Sequence, residues 1–278
     1  MKTMENNFNW GEVYSNPVLA KEIGNEVISM VKESNKLCTH DGVYHADDVF
    51  STALLMYVCG ENIEVIRTRE PLENIFTFDV GGKTFDHHQC DEYRDGCNGI
   101  FASFGKLWCT LGRTIKGLRE EAWREIDESF VKAIDLTDNT GIMNPVNFWI
   151  NSQKTAGVDF MNVVSAAFEM LSEIIYAGIK KSKELDTFEE EVKKAPEGKV
   201  LHLSRFYSVN REIYKNYDFA WITFPDISGN ITIQAVGDQL MSLEKRGLGP
   251  MGDIIFTHKG GWIGKAKTRE AALSLIEQ

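Results

Sequence analysis

Apolar positions recur at helical spacing early in the chain. Val18, Leu19, Ile23, Val27, Ile28 and Val31 come after an Asn16-Pro17 start signal and predict an amphipathic helix within residues 1–35 that packs against the adjoining domain. A short segment, 36–40, leads to a polar cluster, after which Val49, Ala53, Leu54, Met56, Tyr57 and Val58 predict a helix ending at Gly60. Residues 63–68 and 76–80 read as strands. Strand, helix and strand, with polar clusters just after the strand ends, is the pattern of a parallel α/β sheet, in which sites form outside the carboxyl ends of strands. Helical patterns come next at 100–112 and 120–137, the second delivering Asp135 and Asp138 at its end, and residues 144–155 read as loop. A long helical tract covers 158–194 and stops at Ala195-Pro196-Glu197-Gly198. Strands are then expected at 200–203, 219–224, 231–236 and 254–258, with a final helix at 268–276. The pattern predicts an α/β chain: an N-terminal helical extension (1–35), a parallel-sheet domain with flanking helices and a linker helix (36–195), and a smaller mixed α/β domain (196–278).

Composition narrows the function classes. A chain of 278 residues favours two domains, and a net charge of −11 argues against a surface coated in nucleic acid, while a local basic strip stays open. The five cysteines form no Cys-x-x-Cys pair, which favours reduced thiols over a zinc ribbon or a disulfide framework. With no apolar leader and no run approaching the ~18 apolar residues of a span, the expectation is a cytoplasmic protein without a membrane partner. Oligomeric state is not encoded in any pattern here.

Two stretches carry the chemistry: Cys38-Thr39-His40-Asp41-Gly42-Val43-Tyr44-His45-Ala46-Asp47-Asp48, and Asp79 through Asp86-His87-His88-Gln89. They hold four of the six histidines, each near carboxylates, a mixture that suits Mn, Fe or Zn ions. His40, His45 and Asp47 sit on a strand-to-helix turn where side chains can converge. Asp79, at the end of a neighbouring strand, could bridge two ions, since each carboxylate oxygen can serve a different metal. Two ions ~3.5–4 Å apart would clamp a phosphoryl displacement and activate water. Taken alone, Asp47-Asp48 reads more simply as a helix-capping pair. Of the helix-end pair, Asp138 is preferred to Asp135 as a ligand. Arg67 and Arg69 share a strand face, for a phosphate or, more simply, for an internal ion pair. His202 reads as an ordinary sheet residue.

The motifs Thr-His-Asp-Gly-Val-Tyr-His-Ala-Asp-Asp, Val-Ile-Arg-Thr-Arg-Glu, Asp-Val-Gly-Gly and Phe-Asp-His-His-Gln, with the stretch from Ile134 to Ile142 and that from Phe256 to Ala272, resemble in this order the family named for melanocyte proliferating gene one, a branch of the DHH phosphoesterase superfamily. The resemblance spans most of residues 36–278, and Asp48 stands where the family usually has Glu. It implies a DHH domain and a smaller C-terminal domain facing each other across a cleft that holds the active site. It implies that His40, His45 and Asp79 hold one divalent ion, that Asp47, Asp79, His87 and Asp138 hold the other, and that Asp79 and His88 are catalytic, His88 facing the phosphate. The implied ions are two Mn2+, with Mg2+, Co2+ or Fe2+ as alternatives, and the implied activity is a 3′-to-5′ exonuclease on RNA in a superfamily that also acts on DNA and small nucleotides.

Lys259, Lys265, Lys267 and Arg269 surround Gly260-Gly261 before the last helix, and basic residues at a helix start oppose its dipole, which favours an anion site there. With His88, the substrate-binding candidates are His258, Gly260, Gly261, Lys265, Lys267 and Arg246. The leading expectation is a two-metal phosphodiesterase trimming single-stranded nucleic acid or a short oligonucleotide. Its alternatives are a phosphatase or phosphodiesterase of small nucleotides and a nucleotide-binding module without turnover.

Overall fold

The start signal at Asn16 works as expected. Its side chain accepts from the Leu19 amide at 3.2 Å, separating α1 (Trp10–Ser15) from α2 (Pro17–Ser34). The computed structural model describes residues 8–82, 84–88, 92–95, 98–195, 198–209 and 211–276. Cys90, Cys97, Gln89 and the Pro196-Glu197 boundary signal lie outside them. The chain divides into two compact units, Met1–Ser182 and Lys183–Gln278.

In the first unit β1 (Lys36–His40) is the central strand of a parallel sheet in the order β2-β1-β3, with β2 spanning Glu64–Thr68 and β3 Phe76–Thr77. The helix α3 (Ala46–Cys59) is the crossover from β1 to β2 and ends at Gly60. The third strand is shorter than its 76–80 pattern because Asp79 adopts φ 57°, and the chain turns away through Gly81 and Gly82, also at positive φ. A hairpin of β4 (Tyr93–Asp95) and β5 (Asn98–Ile100) comes next, then α4 (Ser103–Leu111). After it runs one helical stretch of α5 (Glu120–Ile126), a π-helical turn (Asp127–Val131) and α6 (Lys132–Thr140).

Residues 144–155, expected as loop, form α7 (Pro145–Thr155). Asn144 accepts from the Val146 and Asn147 amides and Pro145 fills the first turn, a start signal that outweighs the irregular apolar spacing. The N-terminal helices are part of this unit's core: Trp10, Val13, Ala20, Ile23, Val27 and Val31 are buried with Phe50, Phe85, Phe101 and Trp108.

The long helix α8 (Phe160–Val192) runs across the boundary between the units. By length and composition it could cross a membrane, which the sequence expectation did not flag. Its stripe is instead used in packing: Val163, Val164, Ala167, Leu171 and Ile175 belong to the first core, and Leu185, Phe188 and Val192 to a core of the second unit. That last stretch puts the division of the units inside the helix.

The second unit is a five-stranded mixed sheet, β6-β7-β8-β10-β9. Its strands are β6 (Val200–His202), β7 (Trp221–Pro225), β8 (Ile231–Ala235), β9 (Ile254–Thr257) and β10 (Ile263–Ala266), the last not expected from the pattern; the short helices are α9 (Arg211–Tyr214) and α10 (Arg269–Leu273). Leu201, Ile222 and Phe224 pack with the end of α8, while Trp221, Ile233, Ala235 and Ala266 pack with Ala272 and Leu275.

Candidate metal centre

β1 ends on His40, the first turn of α3 supplies Asp47 and Asp48, the turn after β3 supplies Asp79, a loop supplies Asp86, His87 and His88, and the last turn of α6 supplies Asp138. These side chains converge. His40 Nε2 lies 3.1 Å from Asp48 Oδ2 and 3.3 Å from Asp79 Oδ2. The other oxygen of Asp79, Oδ1, lies 3.4 Å from His87 Nδ1 and 3.8 Å from His88 Nδ1. His87 Nε2 is 2.8 Å from Asp138 Oδ2, and its Nδ1 is 3.9 Å from Asp47 Oδ2. The two oxygens of Asp79 thus face two different groups of donors, as a bridging carboxylate requires. Its left-handed backbone, uncommon outside glycine, marks a strained residue at this junction.

The surrounding groups fix these side chains. The Phe104 amide donates to Asp47 Oδ1 at 2.6 Å, and the Ser103 hydroxyl donates to Asp79 Oδ1 at 3.2 Å, so the start of α4 backs both carboxylates. Asp86 accepts from the Gly82 amide at 2.7 Å and holds His88 Nδ1 at 2.5 Å, on a ring that stays half-exposed. Buried Lys106 donates to the Asp86 carbonyl at 2.7 Å and pairs with Glu92. Arg67 donates to the carbonyls of His40 (3.0 Å) and Gly42 (2.8 Å), sits 3.5 Å from Asp48 and stacks on Phe160. The internal role weighed for it is therefore the one the structure gives; Arg69 is exposed, 3.5 Å from Asp41.

Packing carboxylates together has electrostatic consequences. Burial, then Asp79 and Asp138, push the Asp47 carboxyl well above its ordinary range. Burial likewise raises Asp48, against the pull of His40. For His87, burial opposes the charge but hydrogen bonds from its ring to Asp138 and Asp79 outweigh it and carry the imidazole to about 11. His88 is raised by its bond to Asp86, and His40 by its bond to Asp48. Asp47 Oδ2 is buried and has no hydrogen-bond partner. A buried carboxylate oxygen without a partner, among carboxylates and imidazoles, is the donor chemistry that a first-row divalent ion satisfies.

Among the described residues, three sets of ligand atoms lie close enough together to hold an ion: His40, Asp48 and Asp79; Asp47, His87 and Asp138; and Asp79, Asp86, His87 and His88. Of the four side chains expected around the second ion, Asp47, His87 and Asp138 fall in one set, while Asp79 meets His87 in another and His40 in a third. His45, expected with His40 and Asp79, reaches instead toward Asp138 (3.9 Å), and Asp48 stands beside His40. The capping role read for Asp48 is also real, since its Oδ1 accepts from the His45 amide at 2.6 Å. Two oxygens allow both tasks, and its place beside Asp47 was the signal. Asp135 does not join the centre: it is buried against Arg94 at 2.5 Å. Sequence reasoning also missed Ser103, Lys106 and Lys154, the last set by α7 where burial lowers its pKa against the fields of Asp48 and Asp138.

The basic candidates of the second unit are placed differently from expectation. Gly260 and Gly261 form the turn of the β9-β10 hairpin, and the last helix begins later, at Arg269, capped by Thr268. Gly261 takes φ 73° there, and the Gly260 amide donates to His258 Nδ1 at 3.0 Å. Lys265 pairs with Asp226 at 2.8 Å, Lys267 donates to the Gly252 carbonyl at 3.0 Å, and Arg246 donates to the Met241 carbonyl at 2.7 Å. The anion cradle expected at a helix start is thus a hairpin turn. His202, bonded to Thr223 at 2.7 Å, is the sheet residue it was expected to be.

A parallel sheet with an aspartate-histidine cluster at its strand ends defines an α/β protein whose clustered side chains could hold metal ions. Residues 36–167 match the family model MYG1_exonuc, described as "Uncharacterised protein family (UPF0160)". The chain is 31% identical to the MYG1 protein of Chlamydia pneumoniae over 118 residues, 36% of this chain and 36% of that protein. It is 22% identical to the MYG1 protein of Saccharomyces cerevisiae over 325 residues, 88% of this chain and 96% of that protein, and 23% identical to that of Dictyostelium discoideum over 308 residues, 85% and 94%. Residues 36–167, just under half of the chain, thus match the MYG1 family, and the likeness to the yeast and Dictyostelium MYG1 proteins runs along most of the chain. It spans about a third of the length of the chlamydial relatives and nearly all of the yeast and Dictyostelium ones. No solved structure matches it.

Proposed function

We propose that the chain is a metal-dependent phosphoesterase that removes nucleotides from the 3′ end of short single-stranded RNA or DNA. The observation that carries the metal dependence is Asp47, whose buried Oδ2 lacks a partner amid Asp79, His87 and Asp138. His40, His45 and Asp79, with Asp48 beside them, would hold one divalent ion, and Asp47, Asp79, His87 and Asp138 the other, Mn2+ being the first choice and Mg2+, Co2+ or Fe2+ alternatives. Such ions, when bound, lower the pKa of water and neutralise phosphoryl oxygens.

The protein's own part is positioning. His88, its Nδ1 held by Asp86, would present Nε2 to a phosphoryl oxygen, and that bond raises its pKa above the ordinary imidazole value. Ser103 and the Phe104 amide keep Asp79 and Asp47 from rotating away. In the second unit His258, Gly260, Gly261, Lys265, Lys267 and Arg246 are proposed to hold the rest of the substrate. The exposed position of His258 in the hairpin turn, its Nδ1 accepting from the Gly260 amide, supports this.

The test is the full chain, stripped with chelator and reloaded with Mn2+, given 5′-labelled single-stranded RNA and DNA and a dinucleotide. Products shortening stepwise from the 3′ end, absent with Asp79→Ala, are expected. Cleavage of the dinucleotide alone would replace the exonuclease by a small-nucleotide phosphodiesterase. Binding of metal and oligonucleotide without any cleavage would leave a binding module.

A further inference from the structure

Asp138 stands at the end of a helical run whose rotation must be right for that carboxylate to face His87. A second, wholly buried cluster lies on the same run and outside the metal centre. Arg94 of β4 donates from Nε to Asp127 Oδ2 at 3.1 Å and from Nη2 to Asp127 Oδ1 at 3.2 Å, and Nη2 also donates to Asp135 Oδ2 at 2.5 Å. The three side chains are at most 1% exposed. Tyr14 donates to Asp127 Oδ2 at 3.1 Å, the Gly105 amide donates to Asp135 Oδ1 at 3.0 Å, and Arg94 also reaches the Ile100 carbonyl. The cluster ties this run to α1, the hairpin and α4.

One guanidinium can hold both carboxylates only if they share a face. Eight residues along a regular α-helix, at ~100° each, would leave Asp127 and Asp135 about 80° apart. The π-helical turn over Asp127–Val131 removes that mismatch. Its wider i-to-i+5 turn advances each of its five residues by only ~80°, so the two carboxylates come to within about 20° of each other. The Lys132 amide donates to the Asp127 carbonyl, five residues back, as such a turn demands. Asp138, three residues beyond Asp135, then lies about 60° round the helix from the clamped side.

We infer that Arg94 is a positioning residue of the metal centre: its clamp on Asp127 and Asp135, enabled by the π-turn, sets the rotation of α6 and thereby aims Asp138. Burying three charges is not needed for stability, since apolar replacements of such groups are often neutral or stabilising, whereas a forked guanidinium fixes direction. The inference rests on the proposed role of Asp138 as a metal ligand.

The test is a double-mutant cycle read by Mn2+ affinity in calorimetry, with fold checked by circular dichroism and gel filtration. Two backgrounds are used. Arg94→Lys keeps the charge but loses the fork, and the combined Arg94→Met, Asp127→Asn, Asp135→Asn chain removes all three charges. Asp138→Asn should weaken Mn2+ binding ~10–100-fold in the parent and less than about threefold in either folded background, both of which should already bind Mn2+ ~10–100-fold more weakly. A full Asp138→Asn effect in a folded background would overturn the inference. Failure of both backgrounds to fold would also overturn it, assigning the cluster to stability alone. No effect of Asp138→Asn in the parent would instead refute the metal reading of that residue.

Discussion

Asp47→Asn should make the metal-free protein more stable. The side chain is 1% exposed, its Oδ1 accepts from the Phe104 amide, and its Oδ2 has no partner. Asparagine keeps the first contact and removes the charge. An unsatisfied buried acceptor costs ~1–3 kcal/mol, and more when charged; part is recovered by attraction to His87, so a net gain of about 1–2 kcal/mol is expected. For a unit of this size that is a rise of ~2–8 °C in Tm. The direction of the shift sets the pH dependence. Burial holds the folded carboxyl above its unfolded value near ~4, so the folded state binds that proton more tightly, and stability from it is lost as pH rises. The advantage of Asp47→Asn should therefore vanish near pH 4 and grow toward pH 7. Mn2+ must reverse the order, because saturation at a hundred times Kd stabilises the parent by ~2.7 kcal/mol and the variant much less. Scanning calorimetry of both proteins at several pH values, in chelator and in Mn2+, measures all of this. A variant that melts at or below the parent in chelator at pH 7, or that gains as much from Mn2+, would refute the reasoning.

Three further outcomes are expected. His88→Ala should keep its metal content while turnover falls ~10²–10³-fold, whereas His87→Ala should lose metal; equal metal content in the two, by elemental analysis, would erase that division of labour. With His87 raised to about 11, its ring is charged throughout pH 6.5–8.5, and ligation needs it neutral, so Mn2+ binding should release at least one proton and strengthen ~tenfold per pH unit for each. Calorimetry in buffers of different ionisation enthalpy counts those protons, and a count of zero would contradict the assignment. Gly105→Ala would place a Cβ 1.9 Å from Asp135 Oδ2 and 2.7 Å from Arg94 Nη2, and should destabilise the protein by ~3 kcal/mol or more in urea melts; a loss under ~1 kcal/mol would show the cluster to be looser than its distances.

What the sequence showed and what it hid divide along a physical line. Helix starts were legible at Asn16-Pro17 because a cap is made by neighbours in sequence, and the strand-end clusters were legible because a parallel sheet leaves its loops at one edge. The Asn144-Pro145 start of α7 was equally local but was obscured by apolar residues without a clean period. By contrast Arg94 meets Asp127 and Asp135 from 33 and 41 residues away, and no spacing within the sequence announces a pairing of that range. The same holds for Ser103 behind Asp79, 24 residues apart. Gly260-Gly261 was read as an anion site before a helix and not as a hairpin turn, because β10 is only four residues long, its one buried face made of Gly264 and Ala266.

The two aspartates of α6 show how similar residues take unlike tasks. Asp135 is fully buried, yet burial raises it only to about 6, because the Arg94 guanidinium pulls it back down. Asp138 keeps some access to solvent and is held below its ordinary range: burial opposes this, but the bond from His87 prevails. One carboxylate is thus committed to a permanent cation of the protein, and the other faces an imidazole that can give up its proton when an ion arrives. On the proposed assignment of Asp138 as a ligand, exchanging the permanent partner for the titratable one is what separates a structural carboxylate from a metal-binding one, and on this helix the change takes three residues.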